Sequence, residues 1–600
     1  MKSNLYKKYE KLKNDYEKKV VKKKKQSDFL VFLRSLIFLS IVGFLLAYTF
    51  FLANPIYLFL SGILIVVFFL LIVKHNRIKE SVKYLEKLCQ INDTALQRLS
   101  GKWANFSNTG NRFLNPEHPY SSDLNIFGQG SLFQYINAAT FYIGEEKLAK
   151  LLSSSDDLDQ IHQRQQAVAE LKPRLNWRQH FQALGMLDDL KQIKNTEKLL
   201  TWAESKPLLI NNKYLSLIRF FPFITFGLVV LGLFHLTPLY LWILPLAIQI
   251  IIVAFTEKTV HQAFSETGKT VKEIKRYSAL LNCIEPENFE APLLVKLKDK
   301  LVADGYTPSQ QIKNLFKIAE RMALRYSSLH IIINISTLWD LHTLIKLESW
   351  KNKSGQKLRT WLSVIGEFEA LSSLAGLAHD HPDWAFPEIT KSSPTFSASS
   401  LGHPLIKDET RVCNNISLPG PGTILLITGS NMSGKSTFLR TIGINLVLAY
   451  AGAPVCAKKL CCSLMDIYSS MQVSDNLEQN VSTFYAELKR IKLIVDAAKT
   501  GKPIIFLIDE IFNGTNSKDR ILGAQAVIKN LNKLNTIGLV STHDLELSRL
   551  ETESPLIKNY HFRDEITGER INFDYRLRPG VSQSTNAMAL MKIIGLLETE

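Results

Sequence analysis

Residues 429–436 read Gly-Ser-Asn-Met-Ser-Gly-Lys-Ser, a complete G-x-x-x-x-G-K-S loop. The apolar run 423–428 ahead of it has the composition of a buried parallel strand, and 437–448 behind it has the pattern of a helix. In that order, backbone N–H groups of the loop and of the helix N-terminus converge on phosphate oxygens. Gly429, Ser430, Asn431, Met432, Ser433, Gly434, Lys435, Ser436 and Thr437 are therefore expected to surround the phosphates of ATP. Lys435 would reach the β- and γ-phosphates, and Ser436 would hold Mg2+. A second strand, 504–510, ends in two carboxylates. Asp509 is expected to orient the metal, and Glu510 to polarise the attacking water as general base. A third apolar strand ends at Ser541-Thr-His-Asp544, where His543 is placed to contact the γ-phosphate. Ser482 and Thr483 precede a helical run. Spacing alone leaves open whether they cap that helix or face a phosphate.

The rest of the chain must carry this site. Six hundred residues exceed one core, so several domains are expected. The net charge of +17 is concentrated at the start, where residues 1–25 hold eleven lysines against Glu10, Asp15 and Glu17. That basic tail could bind nucleic acid or anionic lipid, and the apolar segment that follows it favours lipid, or simply orientation in a membrane. No Asp, Glu, Lys or Arg occurs in 35–73 or in 220–256. The first block is 39 residues, roughly 58 Å as one helix, about twice a bilayer core. Asn54-Pro55 breaks it into helices near 35–53 and 56–73, and His235-Leu-Thr-Pro238 breaks the second into helices near 218–234 and 238–255.

Basic residues flank the outer ends of both blocks, and the two turns have none. Four transmembrane helices in a multi-pass protein of the cell (inner or plasma) membrane follow, with the termini and the large segments cytoplasmic. The absence of intramembrane charge argues against an ion pathway. A 28-residue polar lead and the length of the apolar block argue against a cleaved signal peptide. The six cysteines show no C-x-x-C spacing, so reduced thiols and no zinc site are expected.

Helical periodicity covers 74–104, 131–210 and 257–380, with a looser Asn/Gly/Pro-rich stretch at 105–130. From about 401 apolar runs alternate with helices, the sign of an α/β domain. The division expected is a basic tail (1–28), a first hairpin (29–75), a helical linker (76–130), core helices (131–212), a second hairpin (213–257), core and lever helices (258–395) and an ATPase domain (396–600).

Four segments resemble the MutS mismatch-repair ATPases, a branch of the ABC-type ATPases: 429–440, 482–488, 507–516 and 541–547. The segment 580–595 is similar to that family's closing helix. More weakly, 130–152, 161–171, 365–375 and Gly402-His-Pro404 resemble its core-and-lever domain and the start of its ATPase domain. The resemblance implies an ABC-type P-loop ATPase domain at the C-terminus, preceded by an all-α core and lever that here carries the two hairpins. It implies a homodimer that sandwiches two ATP molecules, Ser482 acting in trans, and DNA as partner.

The chain departs from the family at Ser430, where Pro is usual, at Ser433, where Gly is usual, and at Asn513, which replaces a basic residue. Nothing before residue 130 resembles the mismatch-reading or connector domain, and Phe386-Pro-Glu388 matches the reading wedge in spelling only. The second hairpin stands where family members extend a DNA clamp. With the closing segment so near Glu600, a helix-turn-helix dimerisation module or a C-terminal nuclease is not expected. Two functions fit: a membrane-anchored ATPase acting on mismatched or structured DNA, and a mechanochemical ATPase acting on a membrane protein partner.

Overall fold

The computed structural model describes residues 2–52, 54–187, 196–206, 218, 220–267, 271–302, 305–430, 432–471, 483–512, 516–567 and 570–582. Two helices of unusual length open the chain, Lys2–Ala47 and Pro55–Leu99, folded back on each other. A π-helical turn, Tyr48–Leu52, ends the first. Asn54 caps the second, its side chain accepting from the Ile56 N–H, with Pro55 at the first helical position. Proline has no N–H to lose there, so the turn falls at the Asn-Pro step the sequence marks.

Both helices continue well past the apolar block. The lysine-rich start is the first part of a single 46-residue helix, roughly 69 Å long. Tyr9 and Val20 on that helix are buried, and Leu12 and Tyr16 pack beside them. These apolar residues recur every three or four positions, so one face docks while the lysines stay wet.

Among the described residues, three helices are long and apolar enough to cross a membrane: Asn4–Phe50, Pro55–Leu99 and Tyr240–Phe264. Their apolar windows are almost wholly outside the protein core. The sequence suggested four. The fourth segment, Phe221–Leu233, is only 13 residues, roughly 20 Å against a core of ~30 Å. Pro222 sits in its first turn, and His235, at φ +58°, breaks the chain after it. Gln249, wholly buried in an apolar helix, donates to Thr225 Oγ1 across this second hairpin at 3.0 Å.

The helical region is organised around the 42-residue helix Trp339–Asp380. Its last turn meets the first hairpin. The Tyr9 hydroxyl donates to Asp380 Oδ1 at 2.6 Å, and Arg98 Nη1 lies 3.3 Å from Oδ2. Burial would raise the Asp380 carboxyl, but bonds from His379 and Tyr9 and the Arg98 charge hold it well below the usual carboxylate range. Its contribution to stability is therefore present above the unfolded carboxylate pKa and is lost as pH falls toward the lowered folded value. Asp380→Ala leaves the largely buried Arg98 unpaired and should cost ~3–5 kcal/mol. Tyr9→Phe removes the hydroxyl's bonds to Asp380 and His379 and should cost ~1–3 kcal/mol. Urea unfolding in detergent at pH 7 reads both losses; equal stability of Asp380→Ala and the parent would refute the link.

The C-terminal region holds two sheets. A four-stranded sheet has the order β1-β5-β2-β3, from β1 (Glu388–Thr390), β2 (Phe396–Leu401), β3 (Asn414–Leu418) and β5 (Lys459–Ser463). A six-stranded sheet has the order β10-β9-β4-β8-β7-β6. Its strands are β4 (Ile424–Thr428), β6 (Asp466–Ser470), β7 (Ile504–Asp509), β8 (Thr536–Thr542), β9 (Ile557–Thr567) and β10 (Arg570–Pro579). All its pairings are parallel except β9 with β10. The inner strands β4, β7 and β8 are apolar and buried almost throughout, as a parallel sheet covered on both faces requires. Alternate residues feed two cores. Leu425, Ile427, Ile505 and Leu507 join the helix Lys435–Ala451 and the helical region. Ile424, Leu426, Phe506 and Ile508 join the helices Thr483–Ala498 and Ser517–Asn532.

The stretch expected to be loose, 105–130, is instead packed. Leu124 and Ile126 are fully buried. Asp123 Oδ2 accepts from Ser469 Oγ at 2.7 Å on β6. Arg440 donates to the Asp123 carbonyl at 2.9 Å, and Arg490 to the Pro116 and His118 carbonyls. This segment straps the helical region to two helices of the C-terminal sheet.

Candidate functional site

Register brings the chemistry together. Thr428 of β4 pairs with Thr542 of β8, and Ser541 of β8 with Asp509 of β7. The loops after these three neighbouring strands therefore open at one edge, the carboxyl edge where parallel sheets bind ligands.

The loop after β4 is held in a strained shape. Gly429, Met432 and Gly434 all have positive φ, at +149°, +68° and +107°. At Gly434 the left-handed backbone is reinforced by crowding, since an added Cβ would lie 3.0 Å from the Tyr575 ring. Lys435 begins the following helix and is 5% exposed. Its Nζ donates to the Gly429 and Ser430 carbonyls at 2.8 Å each, so the side chain folds back under the loop. Burial pulls the Lys435 pKa down, against the pull of Glu510, Asp509 and Asp564. The Ser433 hydroxyl is buried with no hydrogen-bond partner among the described residues.

Ser430, a departure from the resembled pattern, donates to Asp564 Oδ2 on β9 at 2.7 Å. The loop is thereby tied to a neighbouring strand, which sequence reasoning did not foresee. Asp564 lies 134 residues away, and no local signal marks it.

After β7 the chain turns sharply, with Glu510 at φ +54° and Phe512 at +65°. The Phe512 N–H donates to Glu487 on the helix Thr483–Ala498, which fixes the turn. Such non-glycine strain persists only where neighbours over-determine it. Asp509 accepts from the Ser541 hydroxyl. His543 Nε2 lies 2.6 Å from Glu510 Oε1 and 3.4 Å from Lys435 Nζ. With Glu510 ionised, Nε2 would carry the proton towards it, since a carboxylate can only accept. Arg520 grips Asp544 with two bonds of 2.8 Å and so anchors the loop that bears His543.

The structure thus brings together Gly429, Ser430, Gly434, Lys435, Asp509, Glu510 and His543. Met432, Ser436 and Thr437 line the adjoining cleft of about 400 Å³. The cleft's other wall is Leu401, Ile406, Val412, Phe562 and Tyr575, with His403, whose pKa burial, Arg411 and Arg440 push down to about 4. The lining therefore combines a cation and loop residues with apolar and aromatic side chains. Asn431, Ser482 and Asn513 lie outside the described residues, as does the segment from 583 that holds most of the expected closing helix. No group of three or more His, Cys, Asp or Glu side chains with metal-site geometry occurs among the described residues.

Residues 425–599 match the family MutS domain V. The DNA mismatch repair protein MutS of Aquifex pyrophilus is 33% identical over 240 residues, 39% of this chain and 28% of that protein. The protein of the same description from Natronomonas pharaonis is 29% identical over 247 residues, 40% of this chain and 28% of its own length. That of Persephonella marina is 32% identical over 238 residues, 39% of this chain and 27% of its own. The chain thus covers less than a third of the length of each of these relatives. The family's domain V is an ATPase domain, and here it holds the three strand ends and the loop just described. The C-terminal domain of this chain is thus similar to domain V of the MutS family.

Proposed function

We propose that this chain is a membrane-anchored MutS-type ATPase that binds and hydrolyses ATP as a homodimer and acts on DNA, mismatched or otherwise structured. The observation that carries the ATPase reading is the meeting of Lys435, Asp509, Glu510 and His543 around one glycine loop at the sheet's carboxyl edge. The domain V is in this reading an ABC-type P-loop fold, and the divisions expected from the sequence are its domains. Magnesium suits the residues present. It keeps several waters and takes one or two protein ligands beside substrate phosphates. Ser436 and Asp509 would hold it, where it would neutralise phosphate charge. Lys435, already buried and costly as a cation, gains a counter-charge when it meets the triphosphate. The loop N–H groups orient the phosphates, and the unpartnered Ser433 hydroxyl is one further donor. Glu510 takes the proton of the attacking water, held in place by His543. Ser482 of a second subunit would complete the site.

The DNA reading draws on the names of the relatives and on the basic balance of the chain. Anchoring draws on the three long apolar helices; in this reading the protein sits in the cell membrane with its ATPase domain cytoplasmic. A second reading, force on a membrane protein partner, is favoured by the Tyr9–Asp380–Arg98 link between the first hairpin and the long helix. One experiment separates them. Detergent-solubilised protein is titrated with homoduplex, mismatched, branched and single-stranded DNA, with and without ATP, across a salt series. Binding that depends on ATP and on DNA shape, and falls steeply with salt, is expected. No binding at low salt by a protein with intact ATPase activity would overturn the DNA reading in favour of the second.

A further inference from the structure

An apolar surface outside both hairpins lies just ahead of the long helix Trp339–Asp380. Tyr326 is 92% exposed, and Leu329, Ile331 and Ile332 are each more than half exposed. The last two lie on the helix His330–Thr337. A cluster of this kind on a protein in water is costly and usually marks a contact surface.

The position of this helix names the contact. It packs against Ile243–Thr267, the membrane-length helix of the second hairpin. Arg325 pairs with Glu257, the first charged residue after the uncharged block 220–256. The exposed cluster is thereby pinned at the level where that hairpin's apolar stretch ends. Its polar side is turned inward. His330 Nε2 lies 3.0 Å from Asp340 Oδ2, and Asn334 exchanges bonds of 3.3 and 2.9 Å with the same residue. Ser336 and Thr337 bond back to the Ile332 and Ile333 carbonyls. Ser35, Ser40, Thr225 and Thr256 in and beside the hairpin helices satisfy their hydroxyls in the same way. The segment 321–339 contains no Asp or Glu, so nothing in it opposes an anionic lipid surface.

We propose that residues 326–337 are a third membrane contact, in which the short helix His330–Thr337 lies flat at the interface and Leu329, Ile331 and Ile332 enter the headgroup–acyl boundary of the bilayer. The proposal rests on the reading of the hairpins as membrane anchors. It adds that the end of the long helix is itself seated on the lipid, so this helix spans from the membrane surface to the ATPase domain. Interfacial helices bury their apolar face only ~5–10 Å deep, which suits eight residues lying flat rather than crossing.

The test uses the full chain in lipid vesicles. Ile332→Cys and Tyr326→Cys, each in a Cys413→Ser background, carry an environment-sensitive fluorophore. Phe59→Cys on the first hairpin is the membrane control, Lys499→Cys the aqueous control, and Cys413→Ser alone gives the background. Quenching is read with lipids brominated high on the acyl chain and with iodide in the water. Bromolipid quenching at 332 and 326 comparable with that at 59, together with loss of the iodide quenching seen at 499, is expected. Iodide quenching as strong as at 499, without bromolipid quenching, overturns the proposal. Protection from both quenchers also overturns it, because a protein surface such as a second copy then covers the helix. Absence of bromolipid quenching at 59 would instead sink the membrane reading itself.

Discussion

Lys435→Ala is expected to abolish tight ATP binding while leaving the fold intact. The ammonium group sits beneath the loop, bonded to the Gly429 and Ser430 carbonyls and close to His543. A triphosphate would offer it charged oxygens in place of neutral carbonyls. Hydrogen bonds to charged groups contribute ~1.5–3 kcal/mol each, so losing two costs ~3–6 kcal/mol. That is a fall in affinity of roughly 10² to 10⁴. The variant also removes a buried charge that the chain must desolvate without ligand, so its own stability should change little. The measurement is thermal unfolding with and without ATP and Mg2+. The parent should gain about 2.7 kcal/mol at a ligand concentration a hundred times its Kd. The variant should gain less than about 0.5 kcal/mol at that concentration. An equal gain in both proteins would remove Lys435 from the phosphate site.

The parts of this site that were legible in the sequence are those whose chemistry fixes both residue type and spacing. Gly429, Gly434 and Lys435 fall within one short loop, as a loop that wraps one phosphate chain would require. Asp509, Glu510 and His543 stand at the ends of apolar runs, and the paired registers of β7 and β8 turn that linear position into proximity. The parts that were not legible come from single contacts across long separations. Asp564 reaches Ser430, and Tyr575 closes over Gly434, from strands whose sequences carry no mark of the task.

Composition also misled in two places. The Asn/Gly/Pro content of 105–130 signals irregular backbone but says nothing of burial, and Leu124 and Ile126 are core residues there. The lysines of the N-terminus conceal an apolar stripe of Tyr9, Leu12, Tyr16 and Val20, whose helical spacing was available to find the docked face. In the second hairpin, counting uncharged residues overstated helix length, because Pro222 and the turn at His235 bound its first helix at 13 residues.

Glu510→Gln should retain ATP and stop turnover. The two side chains have nearly the same shape, and a glutamine oxygen still accepts from His543 Nε2 at the observed 2.6 Å position. What disappears is the capacity to take a proton from water. Loss of a positioned general base typically costs a factor of ~10²–10⁴ in rate. The expected result is therefore a kcat reduced by that factor, with ATP affinity within about threefold of the parent. His543→Ala supplies the discriminating comparison. If His543 orients Glu510, its loss should slow turnover less than the glutamine change does, since Glu510 retains its own backbone bonds to Ser541. If His543 is instead the base, the order reverses. Single-turnover hydrolysis with radiolabelled ATP reads the chemical step directly. Parent-like hydrolysis by Glu510→Gln would reject the base assignment even if Lys435 binds ATP as expected. The strain at Glu510, φ +54°, makes this comparison informative. A residue held in that conformation, tied to Ser541 behind it and facing His543 in front, is positioned more tightly than a helix cap requires.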